Sequence, residues 1–300
     1  MTAADVSIID APLAALGEGP MWSAREQALY WIDIVGKSVH RLSTPSGRVE
    51  SRSLPYAPAA VFPRKGGGLL LVTKKGLALF DFDRNAVQSV PVPNIDFSVE
   101  LFNDGRCDRH GRLWIGTRHT ERTEAKGGLY CLTPDFRFTR KASGYILANG
   151  LAWSPDEATL YHVDTRLSCV FAYDFEAARG EIGNRRTFIR YDATGGHPDG
   201  CTIDADGCLW IAEVGASRVA RYAPDGRFDR EIRLPVTKPT SVMFGGSDLS
   251  TLYITSMRFG LDDQALAKEP HAGAVLAVAG GVRGIPERLF GETASAECRT

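Results

Sequence analysis

The chain has 300 residues, 44% of them hydrophobic, with 31 glycines and 16 prolines, which is enough apolar material for a large buried core and too much for a disordered chain. Its 35 basic and 36 acidic side chains leave a net charge of −1, so no global field draws it to nucleic acid or an anionic membrane. No apolar stretch approaches the ~18 residues of a membrane helix, and the start, MTAADVSIIDAPLAALGEG, has Asp5 and Asp10 but no basic n-region of a signal peptide.

No linker or charge block divides the chain, which reads as one domain over residues 1–300, and an internal period emerges instead. Apolar triplets recur at Leu29-Tyr30-Trp31, Leu69-Leu70-Leu71, Leu113-Trp114-Ile115, Leu160-Tyr161-His162, Leu209-Trp210-Ile211 and Leu252-Tyr253-Ile254. Tight-turn signals such as DRHG, SPDE, DADG and GGSD precede several of them, as hairpins require. Before each triplet lies another short strand pattern: GPMWSA, AAVFPRK, FNDGRCDRH, NGLAWSPD, DGCTIDAD and TSVMFGG. After each comes an alternating segment (KSVHRLS, GLALFDFD, GGLYCLTPD, SCVFAYDFE, SRVARYAPDG, AGAVLAVAGG), then a more polar one such as VESRSLPY or FDREIRLP. Four short strands repeated six times predict an all-β six-bladed β-propeller of antiparallel blades. A sandwich or an irregular barrel predicts no sixfold register. DVSIID at residues 5–10 precedes the first full repeat, and the last repeat runs out near Phe290, so the N-terminal strand is expected to close the final blade.

In such a ring the inner strands of all repeats begin around one channel mouth. That register holds Glu18, the segment from Tyr56 to Ala60, Asn103, Asn149, Asp199 and Thr240. Glu18, Asn149 and Asp199 would supply two negative charges and an amide oxygen, a donor set for one hard divalent cation, Ca2+ foremost, with waters completing the shell. Asn149-Gly150, Asn103-Asp104-Gly105 and Pro198-Asp199-Gly200 also read as ordinary turn signals. Glu18, between two glycines and ahead of a core strand, does not.

His40, His110 and His271 read as solvated residues of outer strands or turns, and His162 as packed. His119 and His197 fall near the channel register. No H-E-x-x-H, G-x-S-x-G, Walker loop or G-x-G-x-x-G before a helix occurs. The five tryptophans sit in repeat strands and read as packing between blades. The six cysteines, Cys107, Cys131, Cys169, Cys201, Cys208 and Cys298, show no C-x-x-C spacing and read as reduced thiols of a cytoplasmic protein.

The runs GEGPMW (17–22), FNDGRCD (102–108) with GRLWIGT (111–117), NGLAWSPD (149–156), PDGCTIDADGCLWIA (198–212) and FGG with LYITS (244–256) resemble, in order and spacing, the regucalcin and gluconolactonase family, which includes luciferin-regenerating proteins. The resemblance covers nearly the whole chain. It implies a six-bladed propeller that binds one divalent cation (Ca2+, or Zn2+, Mg2+ or Mn2+) at the channel mouth and hydrolyses a sugar-acid lactone. Glu18, Asn149 and Asp199 match the metal ligands, Asp199 is the candidate base, with metal-bound hydroxide as the other route, and Asn103 matches a substrate contact. Many members carry Arg where this chain has Leu101, and often Met where it has Arg118 followed by His119. Arg118 or His119 is therefore expected to replace the missing contact, and Glu121 matches a substrate-contacting acid in some members. A sugar lactone is the expected partner, with no protein, nucleic-acid or membrane partner evident. The rival expectations are a non-enzymatic Ca2+- or partner-binding propeller and an esterase or phosphotriesterase on the same scaffold.

Overall fold

The computed structural model describes residues 6–92, 95–192 and 195–292. Its first strand, β1 (Val6–Ile8), stands apart from the repeats that follow. Blade 1 comprises β2 (Gly17–Ser23), β3 (Ala28–Asp33), β4 (Ser38–Ser43) and β5 (Arg48–Ser53). Blade 2 comprises β6 (Pro58–Pro63), β7 (Leu69–Thr73), β8 (Gly76–Asp81) and β9 (Ala86–Val90). Blade 3 comprises β10 (Glu100–Cys107), β11 (Leu113–His119), β12 (Gly127–Leu132) and β13 (Phe138–Tyr145). Blade 4 follows with β14 (Ala148–Trp153), β15 (Thr159–Asp164), β16 (Cys169–Glu176) and β17 (Glu181–Arg190), and blade 5 with β18 (His197–Ile203), β19 (Leu209–Val214), β20 (Arg218–Tyr222) and β21 (Phe228–Arg233). Blade 6 holds β22 (Pro239–Gly245), β23 (Thr251–Ser256) and β24 (Leu276–Ala279).

Each blade is a four-stranded antiparallel sheet, and β1 supplies the missing outer strand of the sixth by pairing with β24, Val6 opposite Val278 and Ile8 opposite Leu276. The expected architecture and closure are therefore observed. The recurring triplets all lie in second strands, whose central residues are buried on both faces because neighbouring blades cover both sides. Trp22, Trp31, Trp114 and Trp210 are fully buried between blades, and Trp153 nearly so. Asp108 and Asp204, in turns between first and second strands, accept the indole N–H of Trp114 and Trp210 at 2.9 and 2.7 Å, pinning those rings. The one helix among the described residues, α1 (Asp263–Lys268), lies in the long connection between β23 and β24, where the Asp262 side chain accepts from the Ala265 N–H at 2.8 Å as its N-cap.

His40 corrects the reading of it as solvated. It is buried, stacked on Trp31 and hydrogen-bonded to Ser38 and Ser51 at 2.9 and 2.7 Å. The alternation of β4 places its ring on the face covered by the indole, and burial lowers its pKa to about 4. His162 is packed as expected, its pKa lowered by burial to about 3 and neither nitrogen partnered. The five described cysteines are free and buried, and Cys298 lies outside the described residues. Among the described residues no helix is long and apolar enough to cross a membrane.

The six inner strands share a local irregularity. In every blade the pairing of first and second strands slips near its start, between Glu18 and Met21, Pro58 and Ala60, Phe102 and Gly105, Ala148 and Leu151, Pro198 and Cys201, and Pro239 and Ser241. Such bulges bend a strand and re-aim its side chains. Below them the channel is nearly solid, with a cavity of about 10 Å³, room for about one water, bounded by Gly19, Ala60, Gly105, Arg106, Leu151 and Ser241. The far end is closed by residues 283–292. Gly284 bridges to Asp204, Phe290 to Arg64, and Glu287 reaches up to Arg106 at 3.5 Å.

Candidate functional site

Asn103 and Asp104 of blade 3, Asn149 of blade 4 and Asp199 of blade 5 occupy the bulges of inner strands, and Glu18 of blade 1 is the last paired residue before its bulge. The residue after Asn149 and the residue after Asp199 must be glycine. A Cβ on Gly150 would stand 2.7 Å from the Asp199 carbonyl oxygen, and one on Gly200 would meet the Ser241 side chain at 2.0 Å. Close approach of adjacent blades, rather than turn formation, explains these Asn-Gly and Asp-Gly pairs.

Among the described residues the carboxylates at this mouth have no ion-pair partner within 4 Å; Lys74, Arg106 and Arg122 act on them from farther away. Burial, and then the charge of Asp104, push Glu18 up to about 8. Asp199 is raised well above the usual carboxylate range by burial and by the charges of Glu18 and Asp104, and Asp104 is raised by its own burial. Asp199 keeps one buried oxygen, Oδ1, with no hydrogen-bond partner. A polar chain runs round the rim beside them. The Lys74 ammonium donates to Asn103 Oδ1 at 3.3 Å, and Asn103 Nδ2 donates to the Ala148 carbonyl at 2.9 Å and to Asn149 Oδ1 at 2.6 Å. Asn149 Nδ2 donates to Thr165 Oγ1 at 2.6 Å, whose hydroxyl donates to the Pro198 carbonyl at 2.7 Å. The amide of Asn149 is thereby held by neighbours on two blades, with Oδ1 retaining a lone pair.

An orphaned buried carboxylate oxygen, a second buried carboxylate and an oriented amide fit a hard divalent cation completed by water. Among the described residues no three His, Cys, Asp or Glu side chains form a metal cage by themselves, so the mixed set Glu18, Asn149 and Asp199 depends on the amide. Thr240, in the same register, bonds instead to the Gly17 carbonyl at 2.6 Å and ties blade 6 to blade 1. The Tyr56 to Ala60 stretch places no carboxylate or amide side chain in the blade 2 bulge.

Arg118 is the cross-strand partner of Leu101, so its side chain leaves the sheet beside the apolar one. Its Nη1 donates to the carbonyls of His119 and Thr120 at 3.0 and 2.7 Å. His119 is buried beneath the loop that follows, where its Nδ1 accepts from the Glu124 N–H at 3.2 Å. Glu121 and Arg122 are exposed on that loop, and His197 is exposed at the start of β18.

Reading only inner strands misses Lys74, Thr165 and Arg122. In an antiparallel hairpin the second strand ends where the first begins, so the ends of β7, β11 and β15 form a second ring round the same mouth. Lys74, Arg118 and Thr165 stand in or just beyond it.

A family model, the SMP-30/gluconolactonase/LRE-like region, matches residues 16–258. The chain is 39% identical over 280 residues to 6-deoxy-6-sulfogluconolactonase of Pseudomonas putida, covering 92% of this chain and 95% of that one. It is 34% identical to regucalcin of Gallus gallus, covering 97% and 99%. Among solved structures, the calcium-binding protein regucalcin of Agrobacterium tumefaciens superposes with a TM-score of 0.88 at 28% identity, covering 96% and 98%. From the span of the family model and the depth of these likenesses, the chain belongs to the SMP-30/gluconolactonase/LRE-like family.

Proposed function

We propose that the protein is a hydrolase of lactone esters that opens a sugar-acid lactone with one divalent cation, Ca2+ foremost, held by Glu18, Asn149 and Asp199. The observation that carries this reading is the unpartnered, buried Oδ1 of Asp199 beside Glu18 and a fixed amide. When bound, the cation polarises the ester carbonyl and stabilises negative charge on its oxygen. Asp199 accepts the proton of the attacking water as the oxygen joins the carbonyl carbon. The ring C–O bond then breaks, the ring oxygen takes the proton back, and the hydroxy acid leaves. Asn103, already aligned by Lys74 and Asn149, orients the substrate hydroxyls. Arg118 takes the place opposite Leu101, Glu121 reaches the substrate from the loop, and His119 holds that loop in place. The substrate is a free small molecule, and the free cysteines suit a reducing, cytoplasmic setting.

A pH-indicator assay across pentono- and hexonolactones tests this, using chelator-treated protein with Ca2+, Mg2+, Mn2+ or Zn2+ restored in turn. Cation-dependent turnover is expected. Cation binding with no hydrolysis above the spontaneous rate would transfer the reading to a binding protein.

A further inference from the structure

Lys74, Arg118 and Arg122 form a group of positive charges at the mouth, more than aligning Asn103 and filling the place opposite Leu101 require. They come from the turn after β7, the end of β11 and the loop beyond, on the side of blades 2 and 3. They oppose one another. After its burial, the charge of Arg118 and more weakly that of Arg122 disfavour the Lys74 ammonium, against Glu18 and Asp104, which favour it, and Arg122 disfavours charge on Arg118, against Glu121. Among the described residues none of the three has a carboxylate oxygen within 4 Å. Arg118 is 8% exposed and keeps a buried Nε with no partner. Lys74 makes one side-chain bond, to Asn103. Arg122 sits in the left-handed region (φ 56) with no hydrogen bond from its guanidinium among the described residues, near enough to Asp199 to act on its charge.

The charge count gives this arrangement a direction. Glu18, Asp104, Asp199 and Glu121 outnumber the three cations by one, so a bound divalent ion leaves the mouth at about +1. Partly buried positive charge without a counter-ion is unfavourable, and guanidinium groups pair well with planar or tetrahedral anions. An open groove of about 420 Å³ begins at Lys74, lined also by Tyr56, Lys75 and Ser89, with Arg118 and Arg122 outside its lining.

Resting on the lactonase reading, we propose that the substrate lactone carries an anionic group (sulfonate, phosphate or carboxylate) remote from the ring ester, held by Lys74, Arg118 and Arg122. The test compares kcat/KM for gluconolactone with that for its 6-phospho and 6-sulfo counterparts and for an aldaric acid monolactone, in the wild type, Arg122→Ala and Arg122→Lys. In parallel, calorimetry measures binding of gluconate and 6-phosphogluconate to the cation-loaded protein. At least one charged lactone is expected to exceed the neutral one by about tenfold or more. Arg122→Ala should shrink that ratio severalfold and Arg122→Lys should restore part of it, and the preferred arm names the anion. A neutral lactone turned over as well as every charged one overturns the inference and leaves the lactonase reading standing. So does a ratio unchanged in Arg122→Ala. If no lactone is hydrolysed, the lactonase reading fails and binding decides alone. Tighter binding of the phosphorylated acid, lost in Arg122→Ala, upholds the anion site, and equal binding overturns it.

Discussion

The two ends of the channel treat buried charge in opposite ways. At the far end Glu287 rises from the closing segment to Arg106, whose guanidinium also donates to the Leu151 and Cys201 carbonyls at 3.0 and 2.8 Å. Burial raises the pKa of Glu287 as it does those of Glu18, Asp104 and Asp199 at the entry end, but these three have no ion-pair partner among the described residues, and one oxygen of Asp199 has no hydrogen-bond partner. Arg106 lies on the same inner strand, β10, as Asn103 and Asp104, so the difference lies in the carboxylate that the closing segment adds at one end only. A paired buried charge holds a structure in one arrangement, whereas an unpaired one keeps binding energy in reserve for a ligand.

Variants can break that contrast. Asp199→Asn should reduce kcat/KM on the best lactone by about a thousandfold or more, the several kcal/mol a polarising cation supplies. The metal-free melting temperature should hold or rise, because one of three crowded carboxylates is neutralised. A large loss of stability would mean that the entry end is structural after all. Arg106→Met should do the reverse, costing about 3–5 kcal/mol in denaturant unfolding by stranding Glu287, with turnover per folded molecule far less affected than in Asp199→Asn. Pairing it with Glu287→Leu should return much of that stability.

Titration sharpens the contrast further. Glu18 holds its proton to about pH 8 in the metal-free fold and releases it near 4.5 when unfolded. Stability of chelator-treated protein should therefore fall as pH rises from 4.5 to 8. Cation affinity measured by calorimetry should weaken as pH drops below 8, by up to about tenfold per unit. A smaller effect belongs to the packing layer between the ends. His162 stays neutral down to about pH 3, while its unfolded form takes a proton near 6.5. Its contribution is present above 6.5 and declines as pH falls, by ~2 kcal/mol at pH 5. His162→Phe should therefore lose less of its melting temperature between pH 7.5 and pH 5 than the wild type.

The sixfold repeat was legible because hairpin turns and apolar triplets are local signals, and each blade repeats them. The inner-strand register brought Glu18, Asn103, Asn149 and Asp199 to one mouth because one strand's start is also one place in the ring. What stayed hidden depends on two strands at once. Asn-Gly and Asp-Gly pairs carry the same letters in a turn and in a bulge, and only the neighbouring blade, at 2.7 Å from a Cβ on Gly150, tells them apart. Lys74 and Thr165 sit at the ends of second strands, so their nearness to the site follows from hairpin geometry and not from a motif. His40 was misplaced because its burial comes from the Trp31 ring beside it.

The seam of the ring lies on its outer edge, where β1 adds three residues to blade 6. Residue 6 must find residue 278 across almost the whole chain, a late event in any folding sequence governed by loop closure. Glu18 lies just after that seam and Thr240 just before it, joined through the Gly17 carbonyl. An incompletely circularised chain would contain every blade and yet leave Glu18 apart from Asp199. With the cation held as proposed, its uptake during refolding would report the moment of circularisation, and a spectroscopic ion such as Tb3+ would serve as its clock.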